Sequence, residues 1–208
     1  MIYDISIPIT ESMAVHPGDP KVTVDKVMDV SDGAPYTLTN IAMGSHTGTH
    51  VDAPSHLLPG GATVDYVAID VLLGPCHVAW VNTDMEISNQ HLEGLEVPAG
   101  TTRLLLRTKQ SKGYLTLDAG RCLIEKGIRL VGIDSPSVDA PASSDLPVHR
   151  ALLAAEVVIV ENLALDTIEP GHYILACLPL RIAGCDGSPA RAVLMESTAD
   201  LMDEVSHG

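Results

Sequence analysis

The stretch Gly44-Ser-His-Thr-Gly-Thr-His-Val-Asp-Ala-Pro-Ser-His56 constrains the fold of this chain more than any other, because it resists a helix while collecting ligand-type side chains. Three of the nine histidines fall in it, together with Asp52. A helix would stack His46 over His50, but Gly48 and the β-branched Thr47, Thr49 and Val51 oppose one. Pro54 holds Ala53 extended, so the segment reads as a strand followed by a turn, and in an extended stretch His50 and Asp52 point the same way. Gly48 lets the backbone fold back and bring His46 to that pair. The result is a His, His, carboxylate set of the kind that holds a catalytic Zn²⁺ or a related divalent ion with a position left open. His56, beyond the proline, lies near the set without being required in it. The competing account is a polar loop with structural histidines, against which stands the dense spacing of four ligand-type side chains by Gly and Pro.

The rest of the chain sets the context for this segment. Its 208 residues suit one domain, spanning 1–208, with a substantial core. Hydrophobic residues make up 46%, but there is no Phe and one Trp, so the core must be aliphatic; the apolar runs are too short for a membrane span. Twelve basic against 27 acidic residues give a net charge of -15, which argues against nucleic acid or an anionic membrane as a partner. Cys76, Cys122, Cys177 and Cys185 show no CxxC spacing and sit in or beside apolar segments, so buried free thiols are expected ahead of structural zinc or disulfides. The start, Met1-Ile-Tyr-Asp-Ile-Ser, lacks a basic region followed by an apolar one; no secretory signal is expected, and the cytoplasm is the default.

Apolar patterning predicts strands over 3–9, 22–30, 36–43, 77–81, 102–107, 128–133, 157–160 and 173–177, with helices over 64–72, 87–92, 115–126 and 148–156. This mixture predicts an α/β domain. Val15-His-Pro-Gly-Asp-Pro20 reads as a rigid turn, and Gly184 to Gly187 as a Gly-rich loop. Asp134 ends a strand, where a site residue and a turn cap are both reasonable; Arg191 reads as a salt bridge ahead of a substrate contact. His77, His91, His172 and His207 fit no ligand set. Asp145-Leu-Pro147 predicts a helix start, with Asp145 as its N-cap. From His149 to Ala155 that helix descends roughly 9 Å, and the strand from Val157 to Glu161 climbs back roughly 13 Å, so His149 and Glu161 reach the same edge. On the residues alone, a metal-ligand pair and a solvated surface pair are both open.

The motif His46-Thr-Gly-Thr-His50-Val-Asp52-Ala-Pro54-Ser-His56 resembles the signature of the metal-dependent cyclase family, whose best-known members are bacterial kynurenine formamidases. Gly132-Ile-Asp-Ser-Pro-Ser137 and Gly187-Ser-Pro-Ala-Arg191 are similar to further family segments, so the resemblance runs through most of the chain. It implies a mixed sheet or barrel-like β core with flanking helices, of the swivelling β/β/α type. It also implies a metal-dependent hydrolase that cleaves an amide bond of a small molecule. The family places a histidine and a glutamate twelve residues apart as ligands, which here are His149 and Glu161. The implied centre has His46 and His50 on one ion, His149 and Glu161 on another, and Asp52 between them. Two Zn²⁺ per chain are expected, with Mn²⁺ compatible with the same ligands. Such ions activate a water at neutral pH, and His56 would carry the proton to the leaving nitrogen. An arylformamide such as N-formylkynurenine is the leading substrate. Alternatives are another cyclic amide, a lactone or other carbonyl compound, or a metal-binding module without turnover. In kynurenine formamidases a tryptophan before Pro-Gly-Asp packs on the substrate; here that substrate-binding position is His16, with less apolar face and a hydrogen-bonding edge. The resemblance further implies a homodimer or tetramer.

Overall fold

In the computed structural model, which describes residues 1–83 and 85–196, the apolar runs pair into a ring of strands that closes on itself. In chain order the strands are β1 (Ile2–Asp4), β2 (Thr23–Met28), β3 (Leu38–Ala42), β4 (His50–Asp52), β5 (Leu73–Val81), β6 (Glu86–Ile87), β7 (Arg103–Thr108), β8 (Tyr114–Leu115), β9 (Leu130–Ile133), β10 (Val158–Glu161), β11 (Gly171–Pro179) and β12 (Gly187–Glu196). The helices are α1 (Ile69–Leu72), α2 (Asn89–Glu93), α3 (Leu117–Glu125) and α4 (Pro147–Ala154). The ring runs β12, β11, β5, β7, β9, β10, β4 and back to β12. Its β5, β7, β9 and β10 are mutually parallel, and the other joints are antiparallel. Parallel neighbours need long crossovers, and α3 and α4 supply the last two of them.

The period of two along each strand sorts the aliphatic residues onto two faces. Val51, Val78, Leu105, Leu130, Val158, Val160, Leu175, Cys177, Ala192 and Leu194, drawn from all seven ring strands, pack together inside. Leu104, Leu106, Val131, Ile133 and Ile159 face outward, under Leu123 of α3 and Val148 and Leu152 of α4. The interior is narrow where β9 passes: a Cβ on Gly132 would clash with Leu105 Cδ2 and lie 2.6 Å from Leu163 Cδ1. Alternation has a direct consequence for function. Val51 and Val160 point in, so His50, Asp52 and Glu161 point out, to the side where α4 lies.

Several expectations need correction. The strand foreseen over 3–9 is only Ile2–Asp4, followed by an isolated bridge from Ser6 to Leu163; beyond it Pro8 offers no N–H for a ladder. The helix foreseen over 64–72 is a single 3-10 turn, Val64–Tyr66, and the one-turn α1. The Gly-rich stretch 184–187 reads as a loop, but its last residue, Gly187, begins the longest described strand, β12, for which the sequence gives no strand expectation. Pairing on both sides, to β11 and to β4, outweighs that local composition. Asp145 is not the cap of α4: Leu146, with φ 45°, precedes Pro147 without a side-chain cap, and Asp139 takes the capping role. Trp80, the single tryptophan, is partly exposed at the surface under the guanidinium of Arg107. The four cysteines are free; Cys76 and Cys177 are buried, but Cys122 and Cys185 only half-buried. Among the described residues no helix is long and apolar enough to cross a membrane.

Candidate metal centre

Two ring strands and one helix build the site. β4 and β10 run antiparallel with His50 directly opposite Glu161 and Asp52 opposite Ile159, which places Glu161 beside His50 and diagonal to Asp52 on the outer face. The first turns of α4 lie over this face and lower His149 between the two carboxylates. Its Nε2 is 3.1 Å from Glu161 Oε1 and 3.4 Å from Asp52 Oδ2. His50 Nε2 lies 3.3 Å from Asp52 Oδ1 and 3.4 Å from Glu161 Oε2. All four side chains are buried. The stretch before β4 turns at Gly48, with φ +67°, and brings back His46, whose Nδ1 is 2.7 Å from Asp52 Oδ1.

The outer nitrogens are anchored. His50 Nδ1 donates to the Gly48 carbonyl at 2.8 Å, and His149 Nδ1 donates to Asp139 Oδ2 at 2.7 Å. Each imidazole in its neutral form then turns an Nε2 lone pair toward carboxylate oxygens, an arrangement that repels unless a proton or a cation stands between them. Asp139 also accepts the backbone N–H groups of Val148 and His149, so one carboxylate starts α4 and aims its histidine. Glu161 Oε1 accepts the Val138 N–H. Asp52 Oδ2 is buried with no hydrogen-bond partner.

The electrostatics point the same way. Burial works against protonation of His50 and His149, but Asp52, Glu161 and, for His149, Asp139 override it and hold the imidazolium pKa values up to about 10 and about 12. Burial, and the neighbouring Asp52 charge, act to raise Glu161; His149 and His50 outweigh them, and its carboxyl falls below the usual range. Burial of Asp52 is likewise outweighed, chiefly by His50, so its carboxyl lies well below that range. Among the described residues, the basic groups set against these buried carboxylates are imidazoles, not lysine or arginine. A site with two buried carboxylates, imidazole Nε2 atoms directed at them and one carboxylate oxygen without a hydrogen bond fits divalent cations that displace the imidazole protons. The donor atoms of His46, His50 and Asp52, and those of Asp52, His149 and Glu161, lie within 4.8 Å of one another, with Asp52 common to both groups.

His56, in the 3-10 turn Pro54–His56, lies toward solvent. Its Nδ1 is 3.3 Å from Asp186 Oδ2, and the same oxygen is 2.8 Å from His46 Nε2. These three also form a donor group within 4.8 Å. Burial, followed by the His46 charge, lowers the His56 pKa. Burial of Asp186 is outweighed by its bonds to His46 and to other neighbours, and its carboxyl is strongly depressed.

Of the residues singled out from sequence, His46, His50, Asp52, His56, His149 and Glu161 are brought together. His16 is exposed in a turn and stands apart from the hydrogen bonds of the cluster. Asp134 is buried and accepts the Thr108 N–H and hydroxyl, which makes it a structural clamp. Arg191 pairs with Asp4 at the surface. His77 and His172 face each other across β5 and β11, and His91 accepts the Ser88 N–H; His207 lies outside the described residues. Asp139 and Asp186 are new. Asp139 carried the turn signal Asp-Ala-Pro but no ligand spacing, and Asp186 sat in a stretch read as loop.

A family model described as "Putative cyclase" matches residues 3–140. The solved structure of a potential metal-dependent hydrolase with cyclase activity is 32% identical, with TM-score 0.83 over 93% of this chain and 96% of its own. A predicted metal-dependent hydrolase from Bacillus stearothermophilus is also 32% identical, with TM-score 0.81 over 93% of this chain and 97% of its own. Isatin hydrolase A from Labrenzia aggregata, 23% identical, shares the fold with TM-score 0.78 over 93% of each chain.

Proposed function

This chain belongs to the cyclase family, and from that premise we propose that it is a metal-dependent hydrolase cleaving the amide bond of a small molecule. The observation that carries the reading is the pair of inward Nε2 atoms, of His50 and His149, aimed at two buried carboxylates with Asp52 Oδ2 lacking a hydrogen bond. Two divalent ions, zinc first and manganese compatible, would be held by His46, His50 and Asp52 on one side and by Asp52, His149 and Glu161 on the other. Bound there, they supply Lewis-acid polarisation of a carbonyl and a water acidic enough to act at neutral pH. Asp52 serves both groups, and its burial keeps solvent from competing for its oxygens. His56 is the proton carrier. With Nδ1–H donated to Asp186, its Nε2 is free to take a proton and pass it to the leaving nitrogen.

N-formylkynurenine, an arylformamide, is the first substrate of this reading. A cyclic amide is the second, favoured by the fold shared with isatin hydrolases and by His16, which stands exposed at the position where formamidases carry tryptophan. The test is hydrolysis of N-formylkynurenine and of isatin by metal-stripped, zinc-loaded and manganese-loaded protein, alongside D52N. Turnover that needs the metal and vanishes in D52N supports the proposal. A fully loaded wild type that opens neither substrate nor a wider amide and lactone panel, or equal rates with and without metal, refutes it.

A further inference from the structure

Glu161 is followed by a residue that the proposed chemistry does not use. Asn162 is in the left-handed region, φ 56°, where the chain leaves β10. Its side-chain Nδ2 donates at 3.1 Å to the Gly48 carbonyl, the same oxygen that accepts His50 Nδ1 at 2.8 Å. Its own carbonyl accepts the Thr49 hydroxyl, whose oxygen in turn accepts the Ile7 N–H at 3.0 Å. Asn162 N–H donates to Ser135 O. One carboxamide thus ties the turn before β4 to the end of β10, joining two ligand segments that lie more than a hundred residues apart in sequence.

We propose that Asn162 is a positioning residue: by holding the Gly48 carbonyl toward His50, it keeps Nδ1–H outward and Nε2 aimed at Asp52 and Glu161. The inference rests on the metal-centre reading above. Gly48 alone cannot provide this constraint. Gly48 takes φ +67° without strain but, lacking a Cβ, reaches other backbone conformations as readily, so the peptide plane beside it turns easily unless its oxygen is fixed. Two donors on one carbonyl fix it. An acceptor that orients a ligating histidine influences metal affinity by about 10- to 100-fold, and the constraint on that acceptor acts through the same path.

The experiment uses N162G and N162D. Glycine accepts φ 56° without strain and removes only the carboxamide; aspartate keeps the shape but turns the donor into an acceptor facing the Gly48 oxygen. Zinc affinity is read by competition with a chromophoric chelator, and the His50 Nδ1–H proton is followed in metal-free protein as a protected downfield NMR resonance. The expected result is about 10-fold weaker zinc in N162G, a larger loss in N162D, and faster exchange of the His50 resonance in both, with far-UV dichroism unchanged in N162G. An N162G protein that binds zinc within about twofold of wild type and retains the protected resonance overturns the proposal. Should wild type itself bind no zinc, the metal reading fails, while the resonance in N162G still decides whether Asn162 orients His50. If N162D does not fold, N162G carries the test alone.

Discussion

Replacing Asp139 with asparagine separates the aim of His149 from the formation of α4, and the structure gives the expected size. Asp139 Oδ1 accepts Val148 N–H at 3.0 Å, and Oδ2 accepts both the backbone N–H and the Nδ1–H of His149, at 2.9 and 2.7 Å. Asparagine keeps one oxygen and presents an NH₂ where the other stood, so either the helix cap or the imidazole bond faces a donor. Losing the cap costs about 1 kcal/mol, and losing a charge-assisted bond about 1.5–3 kcal/mol. Both groups are buried, so little of this is recovered from water. A urea titration of metal-free D139N should show a loss of about 1–3 kcal/mol, set by which of the two bonds the asparagine gives up. Zinc affinity in the folded protein should drop about 10- to 100-fold, because the ring is free to rotate. D145N, at the acid that sequence alone selects as the cap, should stay within about 0.5 kcal/mol of wild type. A D139N protein as stable as D145N, with unchanged zinc affinity, would refute the reasoning.

Metal binding must displace the protons that His50 and His149 carry in the metal-free protein, where their pKa values are about 10 and 12. Affinity should therefore rise with pH, with about two protons released per site pair at neutral pH, measured by calorimetry in buffers of different ionisation enthalpy. The same values set the stability of the metal-free protein: folded pKa values above the unfolded ~6.5 give a contribution complete below that pH and lost as pH rises through 10 to 12. The depressed Asp52 and Glu161 act oppositely, contributing above pH ~4 and failing as acid protonates them; denaturant midpoints should fall on both sides of neutrality. H56Q should keep its metal by elemental analysis yet lose about 10²- to 10⁴-fold in turnover. In G187A the new Cβ would stand 2.8 Å from both His46 Cε1 and the Val51 carbonyl, so the ring must yield and zinc affinity should fall; G132A, overpacked only against Leu105 and Leu163, should lose about 1–3 kcal/mol in denaturation but bind zinc normally.

The first half of the candidate cluster was legible in the sequence because it is short-range. Within His46 to Asp52, strand alternation and one glycine determine which side chains converge, and both are local properties of the chain. The strand over 103–108, the helix over 117–125 and the aliphatic core were legible for the same reason, through periodicity and composition. The helix cap was misread because Asp145 satisfies the local rule, whereas Asp139 wins through a buried bond to His149 that no spacing rule contains. β12 was not legible because its Gly187 and Pro189 are poor strand formers, and its pairing depends on partners on both edges.

The chain by itself singled out candidate cation ligands, since donor type and local geometry belong to a few neighbouring residues. Only the tertiary structure decided that a closed seven-strand ring carries them, that β4 lies against β10 with His50 opposite Glu161, and that Asp139 bonds His149, Asp186 bonds His46 and Asn162 bonds the Gly48 carbonyl. The physical reason is reach: side-chain alternation is settled over two residues, but register between strands more than a hundred positions apart depends on burial of Val51 and Val160 in a shared interior that exists only once the ring has closed.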